Sequence, residues 1–122
     1  MEQVIVSIPH RFVSLNDYIN AERTNRYMAA KIKKSETAIA KEAFSRLPSI
    51  NKLYTVRFTW FVKDKRRDLD NIAFAKKYIL DGAVDAGFIP GDNMKYIIGF
   101  EDVVQFADNE RVEVQFIESD TV

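Results

Sequence analysis

This chain contains no cysteine and a single histidine, His10, among its 122 residues. Disulfide bonds and thiolate metal sites are therefore excluded, and one imidazole cannot hold a zinc ion by itself. A chain without cysteine is compatible with a reducing compartment, and we predict a cytoplasmic location.

Long hydrophobic segments are also missing. No stretch is long and apolar enough to cross a membrane, and residues 1–8 hold only a strand-length apolar run, so we expect neither a membrane anchor nor a signal peptide. The length and the 47% hydrophobic content are sufficient for a single domain, residues 1–122, with a core of its own.

The chain has no net charge, because 18 Lys and Arg residues balance 18 Asp and Glu residues. The overall positive charge that is common in DNA-binding proteins is thus absent. The cations are nonetheless clustered, and each cluster is either solvated surface or a set of phosphate contacts. The clusters are Lys31, Lys33 and Lys34, and Lys63, Lys65, Arg66 and Arg67.

The hydrophobic pattern predicts six elements in the order β-α-β-α-β-β. Every second residue from Tyr54 to Val62 is apolar, which predicts a strand with one face on the core. Gly87 is predicted to end the second helix. We predict strands at residues 2–8, 53–62, 96–100 and 111–117, helices at 21–47 and 71–86, and irregular chain at 10–20. This order is typical of the α+β class, with a small mixed sheet and helices packed on one face.

Two aspartates, Asp68 and Asp70, follow the second predicted strand. At the end of a strand, a spacing of two directs both carboxylates to the same side. Like charges so close together repel unless a cation lies between them, and Mg²⁺ binds carboxylates together with water and phosphate oxygens. The alternative interpretation is that Asp70 or Asn71 caps a helix and Asp68 lies in a surface turn.

The second predicted helix adds a lysine to this candidate metal site. At 100° per residue, Asp70, Lys77 and Asp81 fall within roughly 40° of one another, opposite the apolar stripe. Lys77 is therefore predicted to approach a phosphate near Asp70, whereas Lys76 is predicted to extend along the edge of the stripe. A simple i,i+4 salt bridge between Lys77 and Asp81 is the alternative.

Several short motifs stand in a fixed order along the chain. They are Ser14-Leu15-Asn16, Arg67-Asp68-Leu69-Asp70-Asn71, Lys77-Tyr78-Ile79-Leu80-Asp81, Ala86-Gly87-Phe88 and Asp92. In sequence and in spacing they resemble the RusA family of Holliday-junction resolvases. The specific part of the resemblance is residues 68–92, and the rest of the chain agrees in length and in the order of elements.

The resemblance implies a homodimeric, Mg²⁺-dependent endodeoxyribonuclease of phage or prophage type, which cuts four-way DNA junctions in recombination and repair. Mn²⁺ is expected to substitute for Mg²⁺. The resemblance implies that Asp68, Asp70 and Asp92 are catalytic, metal-binding carboxylates and that Lys77 is the catalytic lysine. We also predict DNA contacts from several polar and basic residues, namely Asn16, Lys63, Lys65, Arg66, Arg67 and Lys76.

The chain departs from the family pattern at two places. The second predicted helix is about one turn longer between Asn71 and Lys77 than in the family pattern. Either Lys76 or Lys77 is therefore left as the catalytic lysine. Gly91 stands where the family usually has a second aspartate next to Asp92. Two other functions are therefore considered, a non-catalytic DNA-binding module of the same fold and a phage structural protein whose acids serve only as caps and turns.

Overall fold

The computed structural model describes residues 3–119, so Glu2 of the first predicted strand lies outside the described residues. Within that range the strands are β1 (Gln3–Ile8), β2 (Tyr54–Val62), β3 (Ile97–Phe106) and β4 (Arg111–Glu118). The helices of the same range are α1 (Leu15–Thr24), α2 (Arg26–Phe44), α3 (Leu69–Ala73) and α4 (Lys76–Asp85). None of these helices is long and apolar enough to cross a membrane.

The four strands form one mixed sheet in the order β1-β4-β2-β3. The central strand β2 pairs antiparallel with β4 and parallel with β3, while β1 pairs antiparallel with β4. Alternate residues of β2, from Tyr54 to Val62, are buried, as the alternation predicts. They join Phe44 and Ile79 of the helices in one core, so the predicted α+β class with helices on one face is confirmed.

The first predicted helix is two helices, and the prediction of irregular chain over residues 10–20 holds for residues 10–14 but was wrong for residues 15–20, which belong to α1. Helix α1 begins earlier than expected because the Ser14 hydroxyl accepts a hydrogen bond from the Asp17 backbone N–H. Asn25 then interrupts the helical run in an extended conformation. Its side-chain oxygen accepts a hydrogen bond from the Tyr27 N–H at 2.8 Å and so caps the start of α2.

The second predicted helix is also interrupted. Between α3 and α4, the backbone N–H groups of Ala75 and Lys77 donate to carbonyls three residues back, at Ile72 and Phe74. This tighter turn advances by about 120° per residue instead of 100°, so helical phase is not preserved from Asp70 to α4. Beyond α4, Gly87 has φ of +74°, which confirms the predicted glycine at the helix end.

A buried carboxylate anchors the loop that precedes α1. Glu36 of α2 is 4% exposed and accepts hydrogen bonds from His10 Nε2 at 2.6 Å and from the Val13 N–H at 2.5 Å. Because this loop leads directly into Ser14, Glu36 sets where α1 begins. His10, to which the sequence assigned no role, therefore has a structural one.

Helices α2 and α4 approach closely at Gly82. A Cβ atom added there would lie 2.6 Å from the Cβ of Ala40, 2.7 Å from the backbone N of Lys41 and 2.9 Å from the carbonyl O of Thr37. Two of these three atoms belong to the backbone, so they cannot move aside without displacing α2. The contact between the helices thus requires glycine for steric reasons.

We predict that Gly82→Ala destabilises the fold by about 1–3 kcal/mol, because the added methyl group overpacks this contact. In an uncrowded helix interior the same change stabilises the fold by up to about 1 kcal/mol, so the sign of the change in unfolding free energy distinguishes the two cases. Chemical denaturation monitored by circular dichroism measures this free energy. Asp85→Ala, on the exposed side of α4, is the control and should leave stability nearly unchanged. Equal or greater stability of Gly82→Ala would contradict the close packing.

Candidate functional site

The loop between β2 and α3 carries most of the predicted DNA contacts. Lys63, Lys65 and Arg66 are exposed. The Arg66 guanidinium donates to both carboxylate oxygens of Asp64, each at 3.0 Å, and holds the pKa of that carboxyl below its ordinary value. Part of the positive charge of this loop is therefore compensated locally, and the two lysines provide most of what remains.

Arg67, the fourth predicted DNA contact of this loop, is turned inward. Its side chain is 13% exposed and its Nη1 lies 2.6 Å from a Glu110 carboxylate oxygen. The other oxygen of Glu110 lies 3.1 Å from Nη1 of Arg11. Through these two ion pairs, Glu110 links the connection between β3 and β4 to the loop before α1 and to the loop after β2. This geometry gives Arg67 a structural role at the edge of the site.

Asp68 and Asp70 lie at the beginning of α3, and both are exposed. Asp68 occupies the N-cap position without a side-chain capping bond, and Asp70 Oδ1 accepts a hydrogen bond from the Asn71 N–H at 2.9 Å. The Asn71 side chain accepts from the backbone N–H of Asn16 at 2.8 Å. The motif around Asn16 and the aspartate pair are therefore brought together, although Asn16 and Asn71 are 55 positions apart in the chain.

An open depression of about 610 Å³ lies beside Asp70. Its polar side chains are Asp70, Lys76 and Asp102, and its apolar lining is Leu15, Leu69, Ala73 and Phe74. Lys76 Nζ lies 2.5 Å from Asp102 Oδ2, and the indole N–H of Trp60 donates to Asp102 Oδ1 at 2.9 Å. Both oxygens of Asp102 are thus engaged, and Lys76 is held in a defined position next to the depression.

Lys76, rather than Lys77, lines the depression with Asp70. Lys77 is 56% exposed and its ammonium lies 3.3 Å from Asp81, which confirms the i,i+4 salt bridge. The helical phase favoured Lys77 because it assumed a continuous helix from Asp70 onward. The tight turn between α3 and α4 changes that phase. Which of the two lysines takes part in catalysis stays a prediction.

Asp92 lines a different cavity from Asp70. That cavity, of about 540 Å³, also involves Asp81 and Asp85 on one side and three α2 lysines on the other, Lys33, Lys34 and Lys41. Within residues 3–119 no three His, Cys, Asp or Glu side chains are grouped so that they could hold a metal ion. The single chain therefore does not gather Asp68, Asp70 and Asp92 into one cluster, and their joint role as ligands stays a prediction.

Asp102 is the site residue that sequence reasoning missed. The third predicted strand ended at Phe100, whereas β3 continues to Phe106 and carries Asp102 opposite Phe58 of β2. The sequence did contain a signal that the strand continues beyond Phe100. Asp102 is followed by Val103, Val104, Gln105 and Phe106, a sequence compatible with an extended strand. Its pairing with Lys76 and Trp60 depends on contacts distant in sequence, which local patterns do not reveal.

Comparison with known proteins does not assign the chain to a family. No protein-family model matches it, and no curated protein shows significant similarity to it. The resemblance to the RusA family therefore depends on the sequence motifs alone.

We predict that Asp102→Asn lowers the free energy of unfolding by about 1–3 kcal/mol, because the charged partner of Lys76 is lost while Trp60 keeps an acceptor. The chain has one tryptophan, so denaturation followed by Trp60 fluorescence reports on the site directly. In a double-mutant cycle with Lys76→Met, the two changes should be strongly non-additive.

The matched control is Glu101→Gln on the neighbouring position of β3. Glu101 forms an exposed salt bridge with Arg57, and its loss should change stability by less than about 1 kcal/mol. Equal effects at Glu101 and Asp102, or additive effects in the cycle, would contradict a linked Lys76–Asp102–Trp60 unit.

Proposed function

We propose that this chain is a Mg²⁺-dependent endodeoxyribonuclease that cuts branched DNA, with four-way junctions as the preferred substrate. One observation carries the proposal. Two exposed carboxylates, Asp68 and Asp70, begin a helix directly after a loop with exposed cations, and Asp70 lines a depression together with Lys76. Carboxylates beside cations at an open surface suit a bound phosphodiester and its metal ion.

The two carboxylates fit a magnesium ion. Mg²⁺ is usually held by one or two protein carboxylates, with water and substrate phosphate oxygens completing its coordination, so Asp68 and Asp70 would supply ligands of the type and number that it takes. When bound, the ion supplies Lewis-acid activation of the phosphodiester and of a water molecule. Asp92 lines another cavity of the same chain and would act beside this pair only after a rearrangement or from a second copy.

Lys76 is the side chain best placed to stabilise negative charge on a phosphate near Asp70. Its ammonium is fixed by Asp102 and lies 5.0 Å from the centre of the Phe100 ring. A cation held in position before the reaction loses little energy to reorganisation when charge develops on the phosphate. Lys77 lies on the flank of α4 that carries Asp81, which makes it the second candidate.

A non-catalytic DNA-binding module is the alternative function. The separation of Asp92 from Asp70 and the glycine at position 91 favour it, because both reduce the number of carboxylates around a metal ion. The exposed lysines Lys63 and Lys65 serve either function equally, so binding by itself does not separate the two.

We predict Mg²⁺-dependent nicking of a synthetic four-way junction, with a decrease of at least about 100-fold in Asp70→Asn and little change in junction affinity. Electrophoresis of end-labelled junctions measures cleavage, and fluorescence anisotropy in Ca²⁺ measures binding. Binding of the junction without nicking in either Mg²⁺ or Mn²⁺ would support the non-catalytic module. The absence of both activities would exclude both functions.

Single variants of Lys76 and Lys77 decide between the two candidate lysines. Lys76→Met should reduce nicking by about 100-fold, whereas Lys77→Met should reduce it by less than about tenfold. Because Lys76→Met also removes the partner of Asp102, Asp102→Asn serves as the control for a purely structural effect. Equal losses of nicking in the two variants, accompanied by equal losses of folded protein in circular dichroism, would indicate that Lys76 acts only in folding.

We predict that Lys63→Gln and Lys65→Gln each lower the salt dependence of junction binding by about one unit in the slope of log K against log salt concentration. Titrations at several salt concentrations measure this slope. Lys52→Gln is the matched control, since Lys52 pairs with Glu118 at the opposite end of β2. An equal decrease for Lys52→Gln would mean that the cations act through overall charge and not through a contact surface.

A further inference from the structure

Strand β3 forms one edge of the sheet and exposes an unusual amount of apolar surface. It is ten residues long, and four of its large hydrophobic side chains are 41–54% exposed, namely Ile98, Phe100, Val103 and Phe106. A long edge strand with exposed hydrophobic side chains presents unpaired backbone groups to any second strand of suitable sequence.

The usual protections of an edge strand are missing from β3. The strand contains neither proline nor lysine, and its one irregularity lies at its beginning, near Ile98. Its acids are compensated within the chain, since Glu101 pairs with Arg57 and Asp102 with Lys76. Charge therefore does little to prevent a second strand from approaching this edge.

Exposed apolar side chains occur on both faces of β3. Phe100 and Phe106 lie in register with Val56 and Val62 of β2, on the face that the helices cover. Val103 lies in register with Thr59, on the opposite face. A nucleic-acid strand would cover one face and would meet an acid there, Asp102 on the helix-covered face or Glu101 on the opposite one. A second β-strand in the plane of the sheet contacts both faces at once.

We propose that β3 pairs antiparallel with β3 of a second copy of the chain, about a two-fold axis at Val103. The inference rests on the proposed function, for which the resemblance to the RusA family implies a homodimer, and it names the surface that would form that dimer. The two sheets then continue as one sheet of eight strands, in which the helices of both copies cover the same face.

The sequence of β3 favours this register over the other registers near the middle of the strand. With Val103 opposite the partner's Val103, Phe100 lies opposite the partner's Phe106 and Glu101 opposite the partner's Gln105. Symmetric pairing about Glu101 or Asp102 would place identical acids opposite each other, which is unfavourable. Pairing about Val104 would place Phe100 opposite the partner's Asp108 and leave an aromatic ring without an apolar neighbour. The register at Val103 avoids both problems.

This dimer also brings the two candidate sites together. Asp102 and Lys76 lie on the helix-covered face of β3, so both depressions lie on one face, on either side of the two-fold axis. Neighbouring strands are about 4.8 Å apart, which leaves roughly 14 Å between the two copies of β2. The two paired β3 strands then lie between two sites related by the two-fold axis. Two symmetric sites are what paired cuts in a junction require.

Disulfide trapping tests the register, because the natural chain has no cysteine and any introduced thiol is unique. Directly opposed residues have Cα atoms about 4.5–5.5 Å apart, within the range that a disulfide spans. Val103→Cys should therefore give a covalent dimer on a non-reducing gel under mild oxidation. Gln105→Cys, on the same face of the same strand, is the control. Its two copies would be about 14 Å apart and should not cross-link.

Mass measurement in solution tests the surface independently of the register. At about 50 µM, light scattering should give twice the 14.1 kDa mass of one chain for the unaltered protein. Val103→Lys should weaken association by at least about 100-fold, because two ammonium groups would meet at the axis. Ile5→Lys, which adds the same charge at the 61% exposed position on the other edge strand, should remain dimeric.

A monomeric natural chain would overturn the proposal, as would a Val103→Lys variant that stays fully dimeric. Cross-linking of Gln105→Cys as readily as Val103→Cys would overturn the register. Thermal melting of each variant by circular dichroism separates loss of association from loss of folding. A dimer that fails to nick junctions would reject the proposed nuclease and leave this interface intact.

Discussion

The close contact of α2 and α4 at Gly82 is the constraint on which the arrangement of the site depends. Because the backbone of α2 leaves no room for a side chain at this position, it fixes the rotation of α4 about its own axis. That rotation directs Lys76 toward β3 and leaves Lys77 on the flank with Asp81. The identity of the lysine beside Asp70 is thus decided by the packing of two helices.

Ion pairs inside the chain determine which charges remain for a ligand. Glu110 engages Arg67 and Arg11, and Asp102 engages Lys76, so several charges connect elements of the fold. Lys63 and Lys65 are exposed, and Lys65 lies 5.5 Å from the centre of the Phe106 ring. A protein with no net charge can in this way present a locally positive edge at the end of β2, next to two carboxylates.

The candidate site has one half on each side of α4. Asp70 lines the depression next to β3, while Asp92 lines the cavity next to α2. A dimer through β3 would contain two copies of the depression next to β3, and both would lie on one face of a continuous sheet. Exposed Phe100 and Phe106 are then explained as interface side chains, and Asp102 as a support for Lys76 near the centre of the assembly.

Local sequence determined the features that depend on short-range chemistry. The alternation in β2, the glycine after α4 and the class of the fold were predictable because each follows from a pattern within a few residues. The caps at Ser14 and Asn25, the tight turn between α3 and α4, and the extension of β3 through Asp102 were not. The hydrogen bonds of the caps and of the turn are local. Where the chain forms them depends on contacts distant in sequence, such as the hydrogen bond from Val13 to Glu36 and the pairing of β3 with β2, and only the tertiary structure decides those contacts.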